Sequence, residues 1–248
     1  MSDVRERGPS STSLDVRFTV PLYTMAAASR FLHVKRTTFE TWAKGYVRRP
    51  PGRRLVKGSP LVTRITPERS HARSVPFIGL SEGMVLAAFR QRVSLQRIRP
   101  ALDVLKKEFG IEHALASQRL YFDGAEFLWD LAHTESIEPS VRQQVRELVR
   151  VRDGQGVFHQ VVEDYLERIT YESAYAQRIR LPEYEIAEVL ADPRRAFGQP
   201  YFAKSGVLLE DVLGRKAAGE EIESIADDYS LPIGEVEEAV TLAGLEAA

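Results

Sequence analysis

The sequence predicts a mainly α fold with small β elements, arranged as two helical modules at its ends with a mixed region between them. Two observations predict this. Apolar residues recur at three- and four-residue spacings in both end segments, bounded by capping and stop residues, whereas strand and turn signals are confined to short stretches. Charge is also sorted along the chain. Residues 1–75 hold 15 Lys and Arg against 5 Asp and Glu, a net of +10; residues 183–248 hold 5 against 15, a net of −10; residues 76–182 are near balance with 14 against 15. A basic segment of this density attracts phosphate and an acidic one repels it, so the two ends have different partners. At 248 residues the chain exceeds a usual single domain, and it divides into a lead-in (1–15), a basic module (16–75), a mixed region (76–182) and an acidic module (183–248).

Composition narrows the function classes. A hydrophobic share of 44% supports ordinary folding, and no run approaches the roughly 18 apolar residues of a membrane span. Met1 to Ser13 is polar rather than signal-like and reads as disordered, so a cytoplasmic protein without membrane contact is expected. With Cys 0, disulfides, a thiolate nucleophile and a cysteine metal site are excluded.

In the basic module, Val16 to Val20 reads as a short edge strand. Thr24 caps a helix whose Ala27, Ala28, Phe31 and Leu32 line one face. After a turn at His33 and Val34, a second helix runs from about Arg36 to Tyr46, with Phe39 and Trp42 inward, Thr38, Thr41 and Lys44 outward, and Gly45 weakening its last turn. Two short helices joined by a tight turn form a helix-turn-helix, in which the second helix enters the major groove and its early residues, here Lys35, Arg36, Thr37 and Thr38, meet base edges. Arg48 and Arg49, the turn Pro50-Pro51-Gly52, Arg53 and Arg54, and a β-prone stretch from Leu61 to Ile65 then read as a wing that lays arginines against DNA. From Tyr23-Thr24 through Val34 to Phe39 and Trp42, this segment resembles the winged helix-turn-helix of the MerR type. Lys35 stands where that family has a capping Ser or Thr, which leaves Thr37 as the alternative cap.

The mixed region reads as scaffold. Ser81 is expected to cap a helix containing Met84, Val85, Ala88 and Phe89; Ser94 starts another that Pro100 bends and Gly110 ends. Leu120 to Leu131, turning at Asp123-Gly124, resembles a hairpin; Val141 to Val151 and Val157 to Ile169 read as helices, and Ile179 to Leu181 as a short strand. Arg90, Arg92, Arg97 and Arg99 either extend a phosphate-contacting surface or are solvated. No catalytic set, metal site or cofactor site is expected: His33, His71, His113, His133 and His159 lack ligand spacing, and Asp153 to Gly156 lacks the lysine of a phosphate loop.

In the acidic module, Gly219 ends one helix, Ile222, Ile225, Ala226 and Tyr229 form the buried face of the next, and Leu231, Val236, Ala239 and Val240 that of a third. This predicts a three-helix, homeodomain-like unit. Asp192-Pro193, Gly198-Gln199-Pro200 and the closing helices resemble a small domain family of formally unknown function that is coupled to nuclease-like toxins, with some members serving as VapB-type antitoxins. Lys204-Ser205-Gly206 replaces that family's Gly-Thr-Arg turn.

The resemblance implies an antitoxin that binds its own operator as a repressor and neutralises a PIN-like ribonuclease toxin. Operator symmetry implies a homodimer. DNA contact is assigned to Lys35, Arg36, Thr37, Thr38, Thr41, Lys44, Arg48, Arg49, Arg53 and Arg54. Toxin contact is assigned to Phe197, Tyr201, Phe202, Lys204, Leu209, Asp227 and Asp228, on a surface to which Glu235, Glu237 and Glu238 add charge. The rivals are a one-component regulator sensing a small molecule through the mixed region, and a metal-dependent enzyme using dispersed acidic residues.

Overall fold

The computed structural model describes residues 15–49, 55–69, 71–92, 99, 102–103, 106, 112–118, 139 and 166–244. Among them the basic module opens with α1 (Val16–Thr19), α2 (Met25–Phe31) and α3 (Arg36–Lys44), followed by an antiparallel pair, β1 (Tyr46–Arg48) and β2 (Val56–Gly58). The edge strand expected at Val16 is instead one helical turn. Asp15 accepts the Arg17 amide at 3.0 Å, and the buried Arg17 guanidinium reaches the Glu172 carbonyl at 2.8 Å, a contact invisible to local pattern. Thr24 caps α2 as its position predicts, its hydroxyl accepting the Ala27 amide at 3.0 Å.

Gly45, at φ 72°, turns the chain out of α3 so tightly that a Cβ there would stand 2.4 Å from the Gly58 carbonyl oxygen. The second hairpin strand falls at Val56–Gly58 rather than from Leu61. The Leu61 and Val62 amides donate to the Trp42 carbonyl at 2.7 and 3.2 Å, so that stretch closes the end of α3 instead.

Behind this module lies α4 (Phe77–Arg92), in which Phe77, Ile78, Leu80, Met84, Val85, Leu86, Ala88 and Phe89 are all buried. A helix that is apolar all round belongs at the centre of a core. It begins directly after Pro76, four residues before the expected cap; Ser81 lies inside it and donates to the Phe77 carbonyl at 3.1 Å.

A four-stranded antiparallel sheet follows in the order β3 (Ile169–Glu172), β4 (Tyr175–Arg180), β5 (Val189–Ala191), β6 (Tyr201–Phe202). The strand expected over Ile179–Leu181 is thus the end of a longer one, and Ile169 starts a strand rather than ending a helix. The sheet joins the mixed and acidic segments, since Ile179 pairs with Ala191. The chain closes with α5 (Leu209–Ala217), α6 (Ile222–Tyr229) and α7 (Ile233–Leu242). Ile225, Ala226, Leu231, Val236, Ala239 and Val240 are buried, and Gly219 follows α5 at φ 92°, matching the predicted pattern. One apolar cluster runs from Leu22 through α4 and the sheet to Val240.

Arg53, Arg54, Arg97, His133, His159, the Leu120 to Leu131 hairpin, the Val141 to Val151 helix, the Asp153 to Gly156 turn and most of the Ser94 helix lie outside the described residues. No described helix is long and apolar enough to cross a membrane, and no three His, Asp or Glu among the described residues cluster as metal ligands.

Candidate nucleic-acid interface

The rear of α3 is fixed by Phe39, Trp42 and Ala43, all fully buried, with the Phe39 and Trp42 rings 6.2 Å apart. This anchoring turns the opposite face outward. Lys35, Arg36, Thr37 and Lys44 are exposed, while Thr38 and Thr41 are half-buried beside them. Lys35 is the residue before α3 and makes no side-chain cap; Thr37 lies within the helix, its carbonyl accepting the Thr41 hydroxyl at 2.8 Å, so the alternative cap does not form. Arg48 and Arg49 are exposed on the hairpin side, and the Arg48 guanidinium lies 5.2 Å from the centre of the Tyr46 ring.

Sequence reasoning missed Glu40. It lies between Arg36 and Lys44 at four-residue spacing and accepts from both, at 2.9 and 3.0 Å. The hydrogen bonds from Lys44 and then Arg36 hold its carboxyl below the usual glutamate range. A polyanion approaching this face must take both cations from Glu40. The i, i+4 spacing on both sides is the signal that reveals it. Among the additional arginines, Arg90 is exposed above Trp42, whereas Arg99 is buried, donates to the Ser59 carbonyl and stacks on Tyr46.

The residues assigned to partner contact divide. Phe197 is 78% exposed, while Tyr201, Phe202 and Leu209 are buried in the domain's own core. Asp227 and Asp228 are exposed, and Asp228 accepts from Arg215 at 2.7 Å. Lys204 reaches Glu235 at 2.5 Å; Glu235 is only 3% exposed and so adds nothing to the surface. The Glu238 carboxylate accepts the amides of Glu185, Ile186 and Ala187 at 2.7 to 3.1 Å, which holds that loop against α7. Glu237 remains exposed.

Phe197 is displayed on a strained turn. Ala196, Phe197 and Gly198 have φ of 47°, 53° and 76°. The Tyr23 hydroxyl, from the start of the basic module, donates to the Gly198 carbonyl at 2.7 Å, and a Cβ on Gly198 would stand 2.5 Å from the Tyr23 hydroxyl oxygen. Burial pushes the Tyr23 phenol far above its ordinary pKa. A left-handed phenylalanine that is also exposed costs the fold about 1–2 kcal/mol, which points to use at that position.

A cleft of about 550 Å³ opens beside Ala43 at the end of α3, lined by Thr63, Arg64, Glu82, Lys106 and His113 among others. Buried Glu82 accepts the Thr63 amide at 2.5 Å and hydroxyl at 3.0 Å, and His113 Nδ1 lies 3.0 Å from the same carboxylate.

Two helices with a cationic outer face, closed by a hairpin and joined to an acidic three-helix unit, define a helix-turn-helix protein with an appended acidic domain. Comparison with known proteins agrees. Residues 21–102 match the family described as "Putative DNA-binding HTH domain", and residues 189–243 match "Protein of unknown function (DUF433)". "Putative antitoxin VapB45" of Mycobacterium tuberculosis is 48% identical over 230 residues, covering 92% of this chain and 95% of that protein. "Uncharacterized protein Rv2308" of the same organism is 25% identical over 229 residues, 88% of each. The crystal structure of Rv2018 from M. tuberculosis shares 46% identity and a TM-score of 0.73, covering 90% of this chain and 99% of that one. The chain belongs to the family of the putative antitoxin VapB45.

Proposed function

We propose that this protein is a non-enzymatic antitoxin that binds its own operator as a homodimer and neutralises a PIN-like ribonuclease toxin. The observation that carries the proposal is the sorting of charge onto two surfaces. The exposed side of α3 and the hairpin presents Lys35, Arg36, Lys44, Arg48 and Arg49, whereas residues 183–248 carry a net of −10. In this reading Lys35, Arg36, Thr37 and Thr38 meet base edges, while Thr41, Lys44, Arg48, Arg49, Arg53 and Arg54 position the backbone. The hairpin acts as the wing of a MerR-like unit. Phe197 supplies the apolar anchor for a basic ribonuclease, and Asp227 and Glu237 supply complementary charge. The name of one relative, "Putative antitoxin VapB45", supports the antitoxin reading, and the match to "Putative DNA-binding HTH domain" supports DNA binding.

Because β4 and β5 pair across residue 182, deleting residues 183–248 would break the sheet, and the test belongs in the full chain. Co-expression of the intact protein with a PIN-like ribonuclease encoded beside it restores growth; Phe197→Asp loses that rescue and keeps operator binding. Failure of the intact chain to rescue or to bind its own promoter contradicts the proposal. The cleft at Glu82 and His113, lying against α3, favours one second reading, a ligand-responsive regulator. That reading requires a metabolite to change promoter affinity without any toxin.

A further inference from the structure

We propose that the outward face of the four-stranded sheet carries a binding site for a phosphate group, built from Arg178, Arg180 and Thr170. The strand places them there. Side chains alternate along β4, so Arg178 and Arg180 share one face while Ile179, fully buried, points into the core on the other. Register brings Thr170 of β3 opposite Arg178, and Leu190 of β5 opposite Arg180. Together with Arg168, these residues line a cleft of about 500 Å³.

The guanidinium groups have donors that no protein acceptor uses well. The Arg180 Nε is shielded from solvent without any hydrogen bond, and among the described residues Arg180 makes no ion pair. Arg178 has only a long contact, 3.4 Å, to the Thr170 hydroxyl. A shielded donor with no acceptor is costly, and more so when it carries charge. Glu167 and Glu188 also line the cleft, yet neither is ion-paired to Arg178 or Arg180. Arg168 donates to the Pro182 carbonyl at 3.0 Å, which holds it at the edge.

Planar guanidinium forks match the oxygens of phosphate, and the Thr170 hydroxyl adds a donor that can turn toward the same group. The two rim carboxylates disfavour a second charged group beside the first, so the two guanidinium groups engage one phosphate group at a time. The chemistry is therefore that of a compact phosphate, from a small phosphorylated molecule or from a single backbone phosphate of bound nucleic acid. Nothing in the operator-binding proposal depends on it.

Calorimetry of the full chain with inorganic phosphate and with pyrophosphate, at ionic strength held constant with chloride, tests the site. Saturable binding that weakens tenfold or more in the Arg178→Gln, Arg180→Gln double variant is expected. Arg178→Lys with Arg180→Lys, which keeps charge but loses the fork, falls between. If these small anions bind, the source is a small molecule. If they do not, but the glutamine variant weakens promoter binding and lowers its salt slope by one or two, the source is the nucleic-acid backbone, and the phosphate site stands. Equal behaviour of wild type and double variant in both assays overturns it. Should the double variant fail to fold, Thr170→Val carries the same comparison, with a smaller loss expected and an unchanged titration again overturning the site.

Discussion

The two ends of the molecule use aromatic residues and charge in opposite ways. In the basic module the aromatics Phe39 and Trp42 are buried, and this presents cations to solvent on the other side of α3. In the acidic module Tyr201 and Phe202 are buried likewise, but Phe197 stands in the open on a strained turn. Its cations are also spent internally. Arg194 pairs with Glu172, Lys204 with Glu235, Arg215 with Glu220 and Asp228, and Arg195 stacks on Tyr201 with its guanidinium 4.1 Å from the ring centre. The lesson is that net charge names the kind of partner, whereas burial decides which residues can touch it.

The largest effect that separates these roles is on stability. Phe202→Ala is expected to cost about 3–5 kcal/mol, because it empties a fully buried site where β6 meets the core. Phe197→Gly is expected to stabilise by about 1 kcal/mol, because it relieves a left-handed residue whose ring is exposed. Denaturant titration of the two variants checks both signs. Equal destabilisation would place Phe197 in the core and remove it as an anchor.

A second effect concerns the seam between the modules. Tyr23 joins the start of α2 to Gly198, and Tyr184 packs near Arg30 and Leu209, where burial pushes its phenol up to about 12. Above about pH 10, the ordinary tyrosine value, the unfolded chain releases protons that the folded chain retains. Stability contributed by these phenols is therefore full below pH 10 and is lost as pH rises toward 12. Tyr23→Phe, expected to lose about 0.5–1.5 kcal/mol at neutral pH, should blunt the steepest part of that decline. An alkaline melt unchanged in shape by Tyr23→Phe would detach Tyr23 from the seam.

A smaller effect is expected at Glu40. Glu40→Gln frees Arg36 and Lys44 from their shared acceptor and removes a negative charge from the surface proposed to face DNA, so promoter affinity should rise by about three- to tenfold. Fluorescence anisotropy at fixed salt measures it, and weaker binding would show that Glu40 positions those cations instead of competing for them.

How far the sequence carried the reading follows from the range of the interactions. The helices of both modules were legible because the Thr24 cap, the stop at Gly219 and the apolar faces are local: Phe39, Trp42, Ile225 and Val236 lie where periodicity placed them. The turn at Val16 was misread although its Asp15 cap is local, because the contact that anchors it, Arg17 to the Glu172 carbonyl, spans 155 residues. Of the β3–β4 hairpin only the end of β4, at Ile179, was read although Arg178, Ile179 and Arg180 alternate, since its charged outer face disguises a strand whose inner face is apolar. Glu235 looks exposed in a helix rich in acids but is buried, its charge met by Lys204 from 31 residues away.

The most direct test is the salt dependence of promoter binding by the full chain. If about five of Lys35, Arg36, Lys44, Arg48, Arg49, Arg53 and Arg54 neutralise phosphates, log affinity should fall against log salt with a slope of roughly −4 to −5. Replacing Arg48 and Arg49 with Gln should bring that slope down by about two, and replacing Asp227 and Glu237 with Asn and Gln should leave the slope unchanged. A flat titration, or a slope that responds to Asp227 and Glu237 but not to Arg48 and Arg49, would contradict the assignment of DNA to the basic module.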